Sequence, residues 1–256
     1  MNISILKQAH RLVLFLSRYF PSPFQGEGSR VRLYRDLLRD ALFPVECLAC
    51  GRPGQWLCSE CRPQLIKSGP QVCPVCKSAS IAGSTHQTCH SLLDGVMVMG
   101  EYQGLLKRAI RAGKYQFAYE VVDELAETLA DFVDNQSELA QIDWLVVMPL
   151  SRRRLLWRGF NQSQLLAQRL MTVYQCPELS HDLLKIADTV PQAQLAWRER
   201  FNLSADNFTW RGQSLADQTV LVVDDVMTTG RTLEAVAEVL KRAGAERVYG
   251  VVLARN

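Results

Sequence analysis

The chain has 256 residues, of which 48% are hydrophobic and 21% charged, with a formal net charge of +3. That length and apolar content fill one core of medium size with a smaller unit beside it, and they exclude a globally disordered chain. The near-balanced charge excludes a polycation whose nucleic-acid binding would follow from net charge alone. No apolar run approaches the roughly 20 residues of a membrane-spanning helix.

Residues 1–40 read as an N-terminal extension outside the fold. "SILKQAHRLVLFLSRYF" fits a short amphipathic helix, and "PSPFQGEGSR" has the Pro, Gly and Ser content of a linker. The apolar run from Leu12 to Leu16 lies between Arg11 and Arg18. It is too short for a signal-peptide core and no A-x-A-like cleavage site follows, so a cytoplasmic protein is expected. The compact pattern begins near "LYRDLLRDALFP", and an upstream translation start is one account of what precedes it.

Residues 41–92 form a cysteine-rich module. Seven of the eight cysteines lie between Cys47 and Cys89, and only Cys176 lies elsewhere. They come as "CLAC" (Cys47, Cys50), "CSEC" (Cys58, Cys61), "CPVC" (Cys73, Cys76) and "HQTC" (His86, Cys89). Each C-x-x-C turn aims two thiolates at one point, and two such turns supply the tetrahedral N/S set of structural zinc. A redox dithiol would come as one pair at a helix start rather than four in succession. Pairing neighbouring turns gives one site of four cysteines and one of three cysteines with His86. A crossed pairing has the same spacing and stays open, and His86 is the weakest ligand of the eight. Closed four-ligand sites have no position for substrate, so the expected role is structural.

Residues 93–256 show the pattern of a second domain. Residues 95–102 read as a strand, "LLKRAIRAGKY" as a helix, and residues 119–134 as a longer helix. "DWLVVMPL" is an apolar run followed by a basic loop and the helix "NQSQLLAQRLMTVY". "TVLVVDD" is a second apolar run, followed by "VMTTG" and the helix "RTLEAVAEVLKRAGA", which stops at Gly244. That helix is expected to bury Leu233, Val236, Ala237 and Leu240 and to expose Glu234, Glu238, Lys241 and Arg242. "RVYGVVLA" closes the chain as a buried strand. Continuous apolar strands alternating with helices indicate α/β architecture, a parallel sheet covered on both faces.

Two acids at the end of a buried strand need a reason. In a parallel α/β sheet, ligands bind outside the carboxyl ends of the strands. Asp224 and Asp225 offer acceptors for vicinal hydroxyls such as those of a ribose. Thr228, Thr229 and Gly230 then lead into a helix N-terminus, which favours a phosphate. An ordinary helix N-cap explains one acid or one hydroxyl, but not both acids plus "TTG".

The "VLVVDDVMTTGRT" stretch resembles the 5-phosphoribosyl-1-pyrophosphate (PRPP) loop of type I phosphoribosyltransferases. "LFPVECLACGR", "RGFNQSQLLAQRL" and "DTVPQAQLAWRERFNL" resemble the ComF/GntX family of competence and DNA-utilisation proteins over about residues 40–256. The resemblance implies a phosphoribosyltransferase-like domain behind a zinc-ribbon-like module. It implies that Asp224 and Asp225 hold the ribose hydroxyls with Mg²⁺ nearby, as the catalytic pair. Thr228, Thr229, Gly230, Arg231 and Thr232 would cradle the 5′-phosphate. Arg152, Arg153 and Arg154 match the pyrophosphate loop, with Arg158 and Asn161 as further contacts. "TVPQAQLAWRERFN" occupies the place of a mobile loop, with Gln192, Arg198, Arg200 and Asn202 as polar contacts. No residue set reads as a purine or pyrimidine pocket, so PRPP binding follows more directly than transfer.

Three functions are carried forward. The first is uptake or utilisation of external DNA on a PRPP-binding scaffold, in the cytoplasm or peripheral to the inner membrane, with single-stranded DNA and uptake-machinery proteins as partners. The second is a working phosphoribosyltransferase on an unknown base, and the third a PRPP-sensing regulator. Trp157 and Phe160 flank Arg158 and suit base stacking, but core packing is the preferred expectation for both.

Overall fold

A computed structural model describes residues 45–67, 69–115, 119–135, 141–179, 181–186 and 205–256. The expected N-terminal helix, and Gln192, Arg198, Arg200 and Asn202, lie outside the described residues.

Four parallel strands form the main sheet: β1 (Gly95–Glu101), β2 (Trp144–Val147), β5 (Thr219–Met227) and β6 (Arg247–Arg255), in the order β1-β6-β5-β2. A separate antiparallel pair, β3 (Leu183–Lys185) and β4 (Phe208–Trp210), has no counterpart in the sequence reading. The helices are α1 (Gly104–Tyr115), α2 (Tyr119–Asp134), α3 (Arg152–Arg158), α4 (Gln162–Tyr174) and α5 (Arg231–Arg242).

The strands are apolar on both sides because both sides are covered. Met97, Leu145, Val147, Leu221, Val223 and Leu253 pack with Leu106, Leu125, Leu129, Leu166 and Leu170 of α1, α2 and α4. Val96, Val146, Val220, Val222 and Val252 pack with Leu233, Val236 and Leu240 of α5 and with Leu183, Phe208 and Leu215. Alternate residues of each strand therefore serve opposite layers.

Cys47–Asn256 form one unit, so the cysteine module and the sheet share a body. Leu57 and Leu65 belong to the same apolar cluster as α1 and α2. The Glu124 carboxylate on α2 accepts N–H groups from Trp56 and Leu57 at 3.2 and 2.7 Å. Gln71 spans the edge of β1, accepting from the Val98 N–H at 2.9 Å and donating to the Val98 carbonyl at 3.1 Å. That contact occupies a strand edge otherwise open to pairing. Gly100 allows the close approach: a Cβ there would lie 2.3 Å from the Leu65 carbonyl oxygen.

Three expectations are corrected. The segment after β2 is not a basic loop but the helix α3. Ser151 caps it by accepting the Arg154 N–H, and Gly159 ends it in the left-handed region at φ 79°. Trp157 is not core: it is 54% exposed, with its ring 5.8 Å from that of Tyr115. Phe160 does pack, 4.1 Å from the Tyr119 ring. On α5, Glu234, Glu238 and Lys241 are half-buried rather than exposed, and Arg242 is exposed as expected. Glu234 accepts from the Ser91 hydroxyl and the Leu92 N–H, and Lys241 pairs with Asp94, tying the module's tail to the helix.

Candidate functional site

Two ligand tetrads converge: Cys47, Cys50, Cys58 and Cys61, and Cys73, Cys76, His86 and Cys89. In each, the four donor atoms lie within 4.8 Å of one another. Neighbouring turns therefore pair, and the crossed arrangement is excluded. Zn–S bonds of 2.3 Å at tetrahedral angles place sulfurs about 3.8 Å apart, and Cys50 Sγ lies 3.7 Å from Cys58 Sγ. His86 is well placed for its role. Its Nε2 is 3.2 Å from the Ala79 carbonyl, which can only accept, so the proton sits on Nε2. Nδ1 is left with its lone pair toward Cys76 Sγ, at 3.2 Å. Both sites fit zinc by donor type, number and convergence.

The thiols of each tetrad are tuned unequally: hydrogen bonding with Cys58, together with burial, pushes Cys61 up to about 12, and burial raises Cys89, whereas one thiol of each set is lowered to about 6. Burial works against the Cys47 thiolate, but N–H groups of Cys50, Cys58 and Ala49 outweigh it and lower its pKa to about 6. The Ser78 N–H and hydroxyl, with His86, lower Cys76 to about 6. Cys176 is buried elsewhere, where burial raises its pKa.

The acidic pair sits where the sheet is stepped. β2 pairs with β5 only as far as Val147 opposite Val223, and the Met148 N–H closes that ladder on the Val223 carbonyl. β5 continues against β6 to Met227 opposite Arg255. Asp224 and Asp225 thus lie inside β5, two residues longer than the sequence suggested, but beyond the end of β2. They lie at the carboxyl edge of the sheet, where α/β folds bind ligands.

Asp224 Oδ1 accepts the Asp225 N–H at 2.8 Å and lies 3.4 Å from the Ser163 hydroxyl. Asp225 Oδ2 is paired with Lys114 Nζ at 2.7 Å, and the two side chains are only 13% and 14% exposed. Beyond them Thr228 and Thr229 are exposed, and Gly230 stands in the left-handed region at φ 82° as the cap of α5. The Thr229 hydroxyl is 3.5 Å from the Arg231 N–H, so one threonine does serve the helix start. Arg231 and Thr232 form the first turn of α5, where N–H groups have no intrahelical acceptor.

Burial pushes the Asp224 carboxyl from an ordinary 3.8 up to about 7, helped by the charge of Asp225 and opposed by its N–H, Lys114 and Ser163. An acid that titrates higher when folded takes up a proton on folding, so the contribution of Asp224 to stability is most favourable at low pH and falls as pH rises from 3.8 toward about 7. Asp224→Asn should flatten that decline. Urea midpoints of both proteins at about pH 5 and about pH 8 measure it, and equal losses in the two would show that Asp224 is not the titrating acid.

The "RGFNQ" segment divides into parts. Asn161 caps α4 through the Ser163 N–H and donates to the Met148 carbonyl, fixing the helix to the end of β2. Arg158 is buried and donates to Gln162 Oε1 at 3.1 Å. Arg152, Arg153 and Arg154 are exposed along α3. The described residues therefore bring Asp224, Asp225, the threonine–glycine turn and Ser163 together. Asn161 acts as a positioning residue. Lys114, Gln162 and Ser163 had no place in the sequence reading. Their signal was slight: a lysine ending a helix, and two polar residues on a helix face that turns inward.

The sequence from residue 187 to residue 256 matches the phosphoribosyl transferase domain model. The chain is 30% identical over 217 residues to Competence protein F of Haemophilus influenzae, covering 78% of this chain and 90% of that one. The chain belongs to the ComF family. Other ComF-type relatives include DNA utilization protein YhgH of Escherichia coli K12, 28% identical over 83% of this chain and 98% of its own length. Competence protein ComFC of Bacillus subtilis is 27% identical over 80% and 86%. Among solved structures, a purine phosphoribosyltransferase from Pyrococcus horikoshii Ot3 aligns with 53% of this chain and 73% of that one, at 23% identity and a TM-score of 0.31. Among the described residues no helix is long and apolar enough to cross a membrane.

Proposed function

We propose that this chain binds PRPP, or ribose 5-phosphate, and acts in the uptake or utilisation of external DNA, in the cytoplasm or against the inner membrane. The single observation that carries the PRPP reading is the stepped end of β5. It presents two acids for ribose hydroxyls and, five residues after Asp225, a glycine that caps a helix start for the 5′-phosphate. The DNA reading is supported by the names of the relatives, competence protein and DNA utilization protein. Single-stranded DNA and uptake-machinery proteins are the partners it implies.

Mg²⁺ would accompany PRPP. Carboxylate oxygens suit that hard cation, and it would neutralise the diphosphate. Lys114 already pairs with Asp225, so a metal entering there competes with the ammonium. Zinc in the two tetrads would hold the module against α2 and take no part in chemistry.

Transfer activity is the second reading, supported by the match to the phosphoribosyl transferase domain model. Pyrophosphate release from PRPP when bases are offered distinguishes that reading from binding alone.

Calorimetry with ribose 5-phosphate tests the binding reading. Asp225→Ala should weaken affinity about 10-fold or more, the loss of charge-assisted hydrogen bonds. Equal affinity in both proteins would remove this site. The biological reading has its own test: a deletion strain given back the gene with Asp224→Ala and Asp225→Ala. Unchanged transformation and unchanged growth on DNA after deletion would end it. Full rescue by the double variant would detach the DNA role from the phosphoribosyl site.

A further inference from the structure

The cysteine module and the sheet enclose a cavity on the side of the sheet opposite β2. It holds about 310 Å³ at the carboxyl ends of β1 and β6, with Lys67, Pro70 and Val72 on the module side and Glu101 and Arg255 on the sheet side. Its walls are set before anything enters. Gln71 is bonded twice to Val98, and the Lys67 N–H donates to the Met99 carbonyl at 2.8 Å. Gly100, also in the lining, lets the Leu65 carbonyl come close. Backbone contacts of this kind make a formed pocket rather than a seam between two units.

The charges of the lining side chains do not cancel. Lys67 Nζ pairs with Glu101 Oε1 at 2.9 Å, and Gln103 Nε2 donates to Glu101 Oε2 at 2.7 Å. Both oxygens of the acidic side chain are thus engaged. The Lys67 contact is what chiefly holds the Glu101 carboxyl below its ordinary value, and Arg255 contributes least. Among the described residues Arg255 has no ion pair, and its Nη1 is shut off from water with no acceptor. An arginine stays charged, and a donor taken out of water without a partner costs free energy. Two cationic side chains and one acid leave the lining with a surplus positive charge, and that charge is the unpaired guanidinium.

Size narrows the occupant. A water molecule takes about 30 Å³ in the liquid, so an inorganic anion alone would leave most of the cavity to solvent. Pro70, Val72 and Val98 supply apolar wall for a body behind the charge. We infer that this cavity is a second binding site, for a small organic acid whose oxyanion meets the Arg255 guanidinium and whose body, of one or two rings, lies against the module. Carboxylate and phosphomonoester share that chemistry, since both match the guanidinium fork. The site is separate from the acidic pair. Strands about 4.8 Å apart and a rise of about 3.3 Å per residue put Glu101 about 12 Å from Asp225. A ligand held in the cavity needs nothing from Asp224 or Asp225.

The test uses the whole chain with benzoate, phenyl phosphate, inorganic phosphate and benzyl alcohol, none of which carries a ribose. Backbone amide NMR locates each probe. Benzoate or phenyl phosphate should shift the amides of Gly100, Glu101 and Arg255, and the tighter of the two names the oxyanion. Arg255→Gln should weaken that binding at least about 10-fold, as for lost hydrogen bonds to a charged group. Lys67→Gln removes the second cation and should weaken it too, and it stands in should Arg255→Gln fail to fold. A native protein that binds neither acid overturns the proposal, as does an affinity unaltered in both variants. Shifts at Thr228 to Gly230 instead put the probe on the threonine–glycine turn and also overturn it. Equal affinity for inorganic phosphate removes the organic body, equal affinity for benzyl alcohol removes the oxyanion, and either result ends the site as described. Failure of ribose 5-phosphate to bind counts against the phosphoribosyl reading alone and leaves the cavity site standing.

Discussion

Cys47→Ser is expected to cost the protein one zinc ion and much of its global stability. Cys47, Cys58 and Cys61 are buried in the same apolar cluster as Leu57, Leu65 and the α1–α2 layer. Structural zinc contributes about 10–16 kcal/mol of binding free energy to small metal modules. A whole domain is stable by only about 5–15 kcal/mol. Loosening the first tetrad therefore releases Leu57 and Leu65 from the core and frees the Glu124 carboxylate from its two N–H donors. Cys76→Ser should act more locally. Cys76 is exposed, and no residue of the second tetrad belongs to either core cluster. Elemental analysis, melting temperature and limited proteolysis measure the contrast. The expected result is one zinc lost from each variant, a large fall in melting temperature for Cys47→Ser, and a small one for Cys76→Ser. Native zinc content and native melting temperature in both would show the tetrads to be metal-free thiol clusters.

The sheet was readable because its strands are buried on both faces. "WLVV" and "VLVV" have no polar position, and only a doubly covered parallel sheet asks for that. The helices at Tyr119–Asp134 and Arg231–Arg242 were readable from spacing, since each buries one stripe. The pair β3 and β4 was not, because three-residue strands give no period to detect. The helix α3 was missed for another reason. Three arginines dominate its composition, while its start depends on the cap at Ser151 and its end on the φ of Gly159.

The site divides along a similar line. Asp224, Asp225 and the glycine turn announce themselves locally, as chemistry out of place at the end of an apolar run. The tetrads did so by spacing, and the fold then settled which turns pair. Gln162 is brought in by packing of α4 against β5, and Lys114 by its ion pair from the end of α1 to Asp225. Nothing within a few residues of either marks it as a neighbour of the acids. Arg158 looked like one more cation of a basic run, and only its burial sets it apart from Arg152, Arg153 and Arg154.

Lys114→Met is expected to destabilise the ligand-free protein by about 3–5 kcal/mol, the cost of stranding one partner of a buried ion pair. The argument begins from Asp224, whose carboxyl is already pushed up to about 7 by burial and by its neighbour. Lys114 is the cation that lets two adjacent acids coexist at the end of β5, held at 2.7 Å with both side chains largely buried. Without it, Asp225 faces Asp224 with no counter-charge among the described residues. Lys114→Met combined with Asp225→Asn removes both charges and should recover most of the loss, so the double-mutant cycle isolates the pair. Magnesium supplies the second arm. A divalent cation taking the place of the ammonium binds the folded state only, and raises stability by RT ln(1 + [L]/Kd). It should therefore stabilise Lys114→Met more than the native chain, in which the lysine competes. Urea unfolding of the four proteins, with and without magnesium, reads all of these quantities. If Lys114→Met unfolds at the native midpoint and magnesium shifts both proteins equally, the lysine is a bystander and the acids are neutralised by something else.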